Sequence, residues 1–183
     1  MFDYNKLFAT FFYSGCSKKA PGTAGSIAAL PFVFLVNYLI LKLHDFNGFK
    51  EINDFFHLLG VHFILCGILF AAGSCSADKY AKDVGKDDPK EVVIDEVVGM
   101  WLTLIICAPG AIAIVDQIHS AILLVFIFLL FRMFDAIKPW PISWLDRNIK
   151  GGIGIMVDDI AAAFFASLMF YSVWFAFADY WKA

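Results

Sequence analysis

Two acidic doublets carry the strongest chemical signal in this sequence, because apolar residues enclose both of them. Asp95 and Glu96 lie within EVVIDEVVGMW, and Asp158 and Asp159 lie within GGIGIMVDDIAAAFF. Ionised carboxylates in apolar surroundings are costly unless they are paired, hydrated or bound to a metal ion. The doublets are therefore predicted metal ligands. The alternative is that each doublet simply favours the positive end of a helix dipole.

A basic motif, FRMFDAIKPWPISWLDR, supplies groups that could bind phosphate. Arg132 and Asp135 are three residues apart and share one face of a helix, and Lys138 follows one turn later. Arg132 would hold a phosphate through two hydrogen bonds, and Lys138 would add a point charge. Asp135 would orient Arg132, or act as a base if it is free. The alternative is a structural Arg132–Asp135 pair at a helix end, where Pro139 and Pro141 stop the helix.

The segment APGTAGS, residues 20–26, precedes the first apolar block. Gly22 and Gly25 permit tight turns, and Thr23 and Ser26 offer hydroxyl groups. Backbone amides in a turn that leads into a helix can bind an anion. We therefore predict that Gly22, Thr23 and Ser26 bind substrate. A plain helix cap explains the segment equally well, since it lacks the GxxxxGK[ST] pattern.

The charges of these motifs do not balance. Five carboxylates and two cationic groups are expected to face the protein interior, and they leave three excess negative charges if all are ionised: Asp95, Glu96, Asp135, Asp158, Asp159, Arg132 and Lys138. Proton uptake would offset part of this excess, and a divalent cation would offset it better. Oxygen ligands without nearby His or Cys favour Mg²⁺. Carboxylates, Mg²⁺ and basic groups together indicate phosphoryl chemistry.

The composition predicts an all-α, polytopic integral membrane helix bundle. Hydrophobic residues make up 61% of the 183 residues and charged residues 17%, against about 45–50% and about 25% in soluble domains. A spanning helix needs about 20 mostly apolar residues. Five segments meet this requirement, and Pro109–Gly110 is expected to break the third: Ser26–Leu43, His57–Ala77, Val97–Val115, Ile118–Phe134 and Ile160–Ala178.

The distribution of Lys and Arg predicts a cytoplasmic N-terminus. The N-terminal segment holds three of the 14 basic residues, and the segments 78–96 and 132–159 hold four each. Cytoplasmic loops carry the excess of Lys and Arg. The chain is then one domain, 1–183, with a cytoplasmic segment 1–25 and cytoplasmic active-site segments 78–96 and 132–159. The net charge of −3 indicates no nucleic-acid partner.

Five motifs, taken in order, resemble the phosphatidylglycerophosphatase A family over residues 20–165: PGTAGSIAALP, AKDVG, VIDEVVGMW, FRMFDAIKPWPI and DRNIKGGIGIMVDDI. The resemblance implies a Mg²⁺-dependent lipid phosphatase of the bacterial inner membrane. It would hydrolyse the terminal monoester of phosphatidylglycerophosphate to phosphatidylglycerol and phosphate, in glycerophospholipid biosynthesis. The motif residues of the family carry over to Asp83, Asp95, Glu96, Asp135, Asp158, Asp159, Arg132 and Lys138.

Physical reasoning assigns the roles. The two doublets are expected to hold one or two Mg²⁺ ions, and Arg132, Asp135, Lys138 and Asp83 form the expected catalytic set. Direct attack by water is expected, because neither DxDx[TV] nor CxxxxxR occurs. The partners are then the phospholipid substrate and the bilayer, and no oligomeric state is assigned. The alternative function is a cation or proton transporter that uses the intramembrane carboxylates.

Overall fold

The computed structural model describes residues 3–43, 52–114 and 120–177, and these residues form helices and no strand. Five helices are long and apolar enough to cross a membrane, which confirms the predicted class of protein. A short 3₁₀ turn at Ser14–Cys16 joins the first two helices. The helices are α1 (Tyr4–Ala9), α2 (Pro21–Leu43), α3 (Ile52–Val84), α4 (Ile94–Ile114), α5 (Ser120–Ile137), α6 (Ile142–Asn148) and α7 (Gly151–Ala176).

Helix α4 forms the centre of the bundle. In its most apolar stretch 61% of the residues are buried, against 50% for α7 and 22% for α2 and α5. It packs against α2, α3, α5 and α7, whereas α6 packs on α7. The peripheral helices expose large apolar side chains, such as Phe34 on α2, Ile64 on α3 and Leu129 on α5, so these outward faces are suited to lipid.

Close contact between the central helices depends on Gly99 of α4. A Cβ atom at this position would lie 2.7 Å from the Phe131 ring of α5 and 3.0 Å from the Asp159 carbonyl oxygen of α7. Small residues let membrane helices approach closely. Gly99 therefore sets how near α5 and α7 come to α4, one turn beyond Glu96.

Three of the predicted spans belong to helices that extend beyond the apolar segments from which they were predicted. Helix α2 begins at Pro21 rather than Ser26, α3 continues to Val84, and α7 begins at Gly151 rather than Ile160. Hydropathy marks only the apolar part of a helix, and these helices continue into polar residues. Residues 20–26 are therefore mainly the first turns of α2 and not a turn that precedes it.

The predicted break at Pro109–Gly110 is wrong, because α4 continues to Ile114. Pro109 removes the backbone hydrogen bond to the Ile105 carbonyl, but α7 packs closely on α4 here, since a Cβ atom at Gly110 would lie 2.8 Å from the Tyr171 ring. The Tyr171 hydroxyl donates a hydrogen bond of 2.8 Å to the Ile106 carbonyl. The prediction that α5 ends before Pro139 is confirmed. Val115 and Ile118, at predicted span ends, lie outside the described residues.

Candidate active site

A cavity of about 740 Å³ opens at one end of the bundle. The N-terminal ends of α2, α4 and α7 border it, as do the C-terminal ends of α3 and α5 and part of α6. Its walls combine buried acids with basic side chains. Both doublets and α5 contribute charged groups to its lining: Asp95, Glu96, Arg132, Asp135, Asp158 and Asp159. Three of the acids, Asp135, Asp158 and Asp159, are buried.

The two doublets meet in this cavity through three of their four members. One carboxylate oxygen from each of Asp95, Glu96 and Asp159 lies within 4.8 Å of the other two. We call these residues the carboxylate trio. The first turn of α4 contributes two members and α7 contributes the third. Successive residues of a helix are about 100° apart around its axis, so Asp158 points away from Asp159 and does not join the trio.

Several oxygens of these acids have no hydrogen-bond partner among the described residues. They are buried, and each belongs to a carboxylate that water would otherwise solvate: Asp95 Oδ1, Glu96 Oε2, Asp158 Oδ1 and Asp159 Oδ2. Buried polar atoms normally have a partner. A cluster of free carboxylate oxygens fits a hard divalent cation, which takes oxygen ligands.

Arg132 is held beside the trio by its own helix and by α2. It forms an ion pair with Asp135, as the three-residue spacing predicted. The same nitrogen donates a 3.3 Å hydrogen bond to Ser26, whose hydroxyl donates to the Gly22 carbonyl. A Cβ at Gly22 would overlap the Glu96 carboxylate. Glycine at this position therefore lets α2 approach both Glu96 and Arg132.

Lys138 lies on the other side of the cavity and joins two acids. Its ammonium group donates hydrogen bonds of 2.8 Å to Asp146 on α6 and 2.5 Å to Asp158 on α7. Burial alone would lower the pKa of Lys138, but the hydrogen bonds to these two acids outweigh burial and raise this pKa above its usual value. Lys138 therefore stays charged at neutral pH and fixes the direction of the Asp158 side chain.

Two predicted site residues do not line the cavity. Asp83 is exposed on a different face of α3 from Asp78 and Lys82, which do line it. Five helical residues turn the chain by well over one turn, so Asp83 and Asp78 diverge. Ser26 is fully buried and donates no group to the cavity lining, whereas Gly22 and Thr23 line the cavity.

Four further acids that line the cavity were not among the predicted site residues: Asp78, Asp87, Asp88 and Asp146. Asp146 accepts a hydrogen bond from Lys138. In the sequence, the feature that could have identified Asp146 is its position shortly after the Pro-Trp-Pro segment that follows Lys138. Asp78 packs against Gly152 at the start of α7, where a Cβ atom on the glycine would lie 2.9 Å from the Asp78 Cβ, and it forms a 2.6 Å ion pair with Lys82. No sequence signal distinguished Asp78 from other acids of its segment.

Comparison with known proteins identifies the family of this chain. The family model described as phosphatidylglycerophosphatase A matches residues 7–174. The chain belongs to the phosphatidylglycerophosphatase A family. It is thus a multi-pass membrane protein with the phosphoric monoester hydrolase activity of that family, and the transporter alternative receives no support.

Three relatives are similar over most of their length. The phosphatidylglycerophosphatase A of Escherichia coli strain K12 is 36% identical over 91% of this chain and 81% of its own. The phosphatidylglycerophosphatase A of Haemophilus influenzae is 30% identical, over 96% and 88%. A Bacteroides thetaiotaomicron protein, provisionally named phosphatidylinositol-3-phosphatase, is 32% identical, over 89% of both chains. No solved structure matches.

Proposed function

We propose that this protein is a Mg²⁺-dependent phosphatase that converts phosphatidylglycerophosphate to phosphatidylglycerol and phosphate, in glycerophospholipid biosynthesis. The observation that carries the proposal is the convergence of the carboxylate trio within 4.8 Å, in the same cavity as Arg132 and Lys138. Acids that could hold a cation and bases that could hold a phosphate then lie side by side. The family membership supports the same reaction.

Asp95, Glu96 and Asp159 would hold the cation, whereas Asp158, which was also predicted to be a ligand, holds Lys138. Bound Mg²⁺ would polarise the phosphoryl oxygens and offset the negative charge that develops on them. Asp83 has no part in this proposal, because it lies outside the cavity.

The basic residues would bind the transferring group. Arg132, held by Asp135 and Ser26, presents its remaining N–H groups to the phosphoryl oxygens. Lys138 adds a fixed positive charge. Water attacks phosphorus, the bond to the glycerol oxygen breaks, and that oxygen gains a proton as phosphatidylglycerol leaves. A carboxylate oxygen without a protein partner can accept the proton that the water loses.

The location of the reaction is also part of the proposal. The cavity end of the bundle carries the basic segments that precede α2, follow α3 and follow α5. An excess of Lys and Arg is typical of the cytoplasmic side, and the relatives are bacterial. We therefore place the protein in the inner membrane with its cavity facing the cytoplasm.

A phosphate-release assay tests the function directly. Purified protein in uncharged detergent micelles is given phosphatidylglycerophosphate or, because of the Bacteroides relative, phosphatidylinositol 3-phosphate. We expect faster release from the first substrate, loss of release in EDTA and recovery with added Mg²⁺. Faster release from the inositol lipid would reassign the substrate, and release that persists in EDTA would contradict the cation site.

Matched variants test the ligands. Asp159→Asn removes one charge from the trio, and Asp83→Asn removes one charge from the exposed face of α3. We expect Asp159→Asn to raise the Mg²⁺ concentration for half-maximal activity by at least about tenfold, because ion affinity depends on the charge of its ligands. Asp83→Asn should match the wild type. Equal behaviour of the two variants would refute the assignment of the trio.

A further inference from the structure

The cavity has a second charged zone that the proposed reaction does not use. Its mouth is lined by Lys86, Lys90 and Lys150, which we call the rim lysines. All three are exposed, and none forms an ion pair with a described residue. The floor is different, since Asp158 and Asp159 are only 4% and 2% exposed. The cavity therefore changes from buried acids at its base to free cations at its mouth.

The backbone directs the first of these lysines to the mouth. Helix α3 ends with Gly85 at a φ of +67°, a left-handed conformation that glycine adopts without strain. Gly85 N–H donates to the Lys82 carbonyl and Lys86 N–H donates to the Ala81 carbonyl. This paired ending stops the helix and turns the chain towards the cavity. Lys86 is thus positioned by backbone hydrogen bonds, while its side chain remains free.

Lys150 is placed so that its side chain could contact a second phosphate of the substrate. It precedes α7, and Asp158 follows eight residues later, which corresponds to about 12 Å along the helix axis. A flexible four-carbon stem covers part of this distance. Lys150 therefore lies on the order of 12 Å from Asp158, the partner of Lys138, and a headgroup that carries two phosphates could bridge this separation together with the lysine stem.

Two acids also line the mouth and limit its positive charge. Asp87 and Asp88 lie between Lys86 and Lys90. Lys82 is already paired with Asp78 at 2.6 Å. The three free lysines still outnumber Asp87 and Asp88, whereas the acids outnumber the bases on the floor. Without a bound cation, the mouth of the cavity therefore attracts an anion more strongly than the floor does.

We propose that the rim lysines, chiefly Lys86 and Lys150, bind the phosphodiester of the lipid while its terminal monoester occupies the floor. This inference rests on the proposed function. The substrate class is a lipid headgroup with a diester phosphate next to the bilayer and a monoester phosphate beyond it. Phosphatidylglycerophosphate and phosphatidylinositol 3-phosphate both have this chemistry. Phosphatidic acid, whose monoester lies directly on diacylglycerol, lacks the second group.

Kinetic measurements distinguish the contact of the diester phosphate with the rim lysines from the contact of the monoester phosphate with the floor. The variant Lys86→Gln/Lys150→Gln is assayed with phosphatidylglycerophosphate in uncharged detergent micelles, and inorganic phosphate serves as a competitive inhibitor. We expect KM to rise about tenfold, since each exposed ion pair contributes up to several-fold. We expect kcat and the inhibition constant of phosphate to change by less than about twofold, because the floor is unaltered.

A matched control removes the same charge elsewhere on the same side. Lys18 and Lys19 are exposed just before α2 and do not line the cavity, so Lys18→Gln/Lys19→Gln should leave KM within about twofold. An equal rise of KM in both double variants would overturn the inference, because it would reflect general attraction of an anionic lipid. An unchanged KM, or an equal weakening of phosphate inhibition, would overturn it as well.

Two further measurements distinguish failure of the diester contact from failure of the proposed function. If the glutamine variant does not fold, Lys86→Arg/Lys150→Arg decides: a KM near that of the wild type supports a charge contact, and a tenfold higher KM contradicts it. If the wild type releases no phosphate from either phospholipid, the proposed function itself fails. Normal wild-type activity with an unaltered glutamine variant contradicts only the diester contact.

Discussion

Substitution of Gly99 tests whether helix packing positions the carboxylate trio. An alanine methyl group at this position would lie 2.7 Å from the Phe131 ring and 3.0 Å from the Asp159 carbonyl oxygen, whereas ordinary contacts begin at 3.4 Å. The ring must retreat by about 0.7 Å and the backbone of α7 by about 0.4 Å. Because the second shift moves the backbone of a trio member, the site changes together with the packing.

The expected effects follow from these shifts. Overpacking of a dense core costs about 1–3 kcal/mol, so the midpoint of thermal unfolding in detergent should fall. Misplacement of a reacting group by about 1 Å costs on the order of 100-fold in rate. For Gly99→Ala we therefore expect a loss of kcat of about 10- to 100-fold and a higher Mg²⁺ requirement.

Gly67→Ala is the matched control. Gly67 is also within a spanning helix, and no described atom lies within 4 Å of the place that its Cβ would occupy. Alanine favours the helix by up to about 1 kcal/mol over glycine, so this variant should be as stable as the wild type or slightly more stable. The kcat and the midpoint of thermal unfolding are measured on the same preparations of both variants. If Gly99→Ala retained full kcat and stability, tight packing would not be what positions Asp159.

Two more substitutions test the basic groups. Arg132→Lys keeps the charge but removes the planar guanidinium group, whose other N–H groups remain available to the phosphate while Nη1 contacts Asp135 and Ser26. We therefore expect kcat to fall at least about tenfold, and wild-type kcat would show that the charge alone is sufficient. Asp146→Asn weakens one of the two ion pairs of Lys138, so we expect kcat to fall about threefold to tenfold at constant protein stability. An effect on stability alone would indicate that Asp146 is structural only.

The sequence was sufficient for the class of protein and for local pairs. Five apolar segments predict five spanning helices, because a bilayer has one thickness and every span must match it. The Arg132–Asp135 pair follows from spacing on a single helix. The prediction that acids from distant segments meet was also made from the sequence, because buried charges need partners wherever they lie.

The sequence was less informative where polar residues continue a helix. Residues 21–26 and 151–159 are helical although they are polar or rich in glycine, and hydropathy cannot distinguish such turns from loops. Pro109 was expected to break α4, but α7 packs closely on the helix there. Support from a neighbouring helix is invisible in a local pattern.

Only the tertiary structure decided which acid does what. Asp158 and Asp159 are equivalent in the sequence, yet one pairs with Lys138 and the other joins Asp95 and Glu96. Asp83 was predicted to belong to the site and lies outside the cavity, while Asp146 enters it from α6. Composition and spacing indicate the free-energy cost of burying a charged group and the residues that share its helix face. The direction of each side chain depends on how the helices rotate against one another, and that rotation is set by contacts such as Gly99 with Phe131.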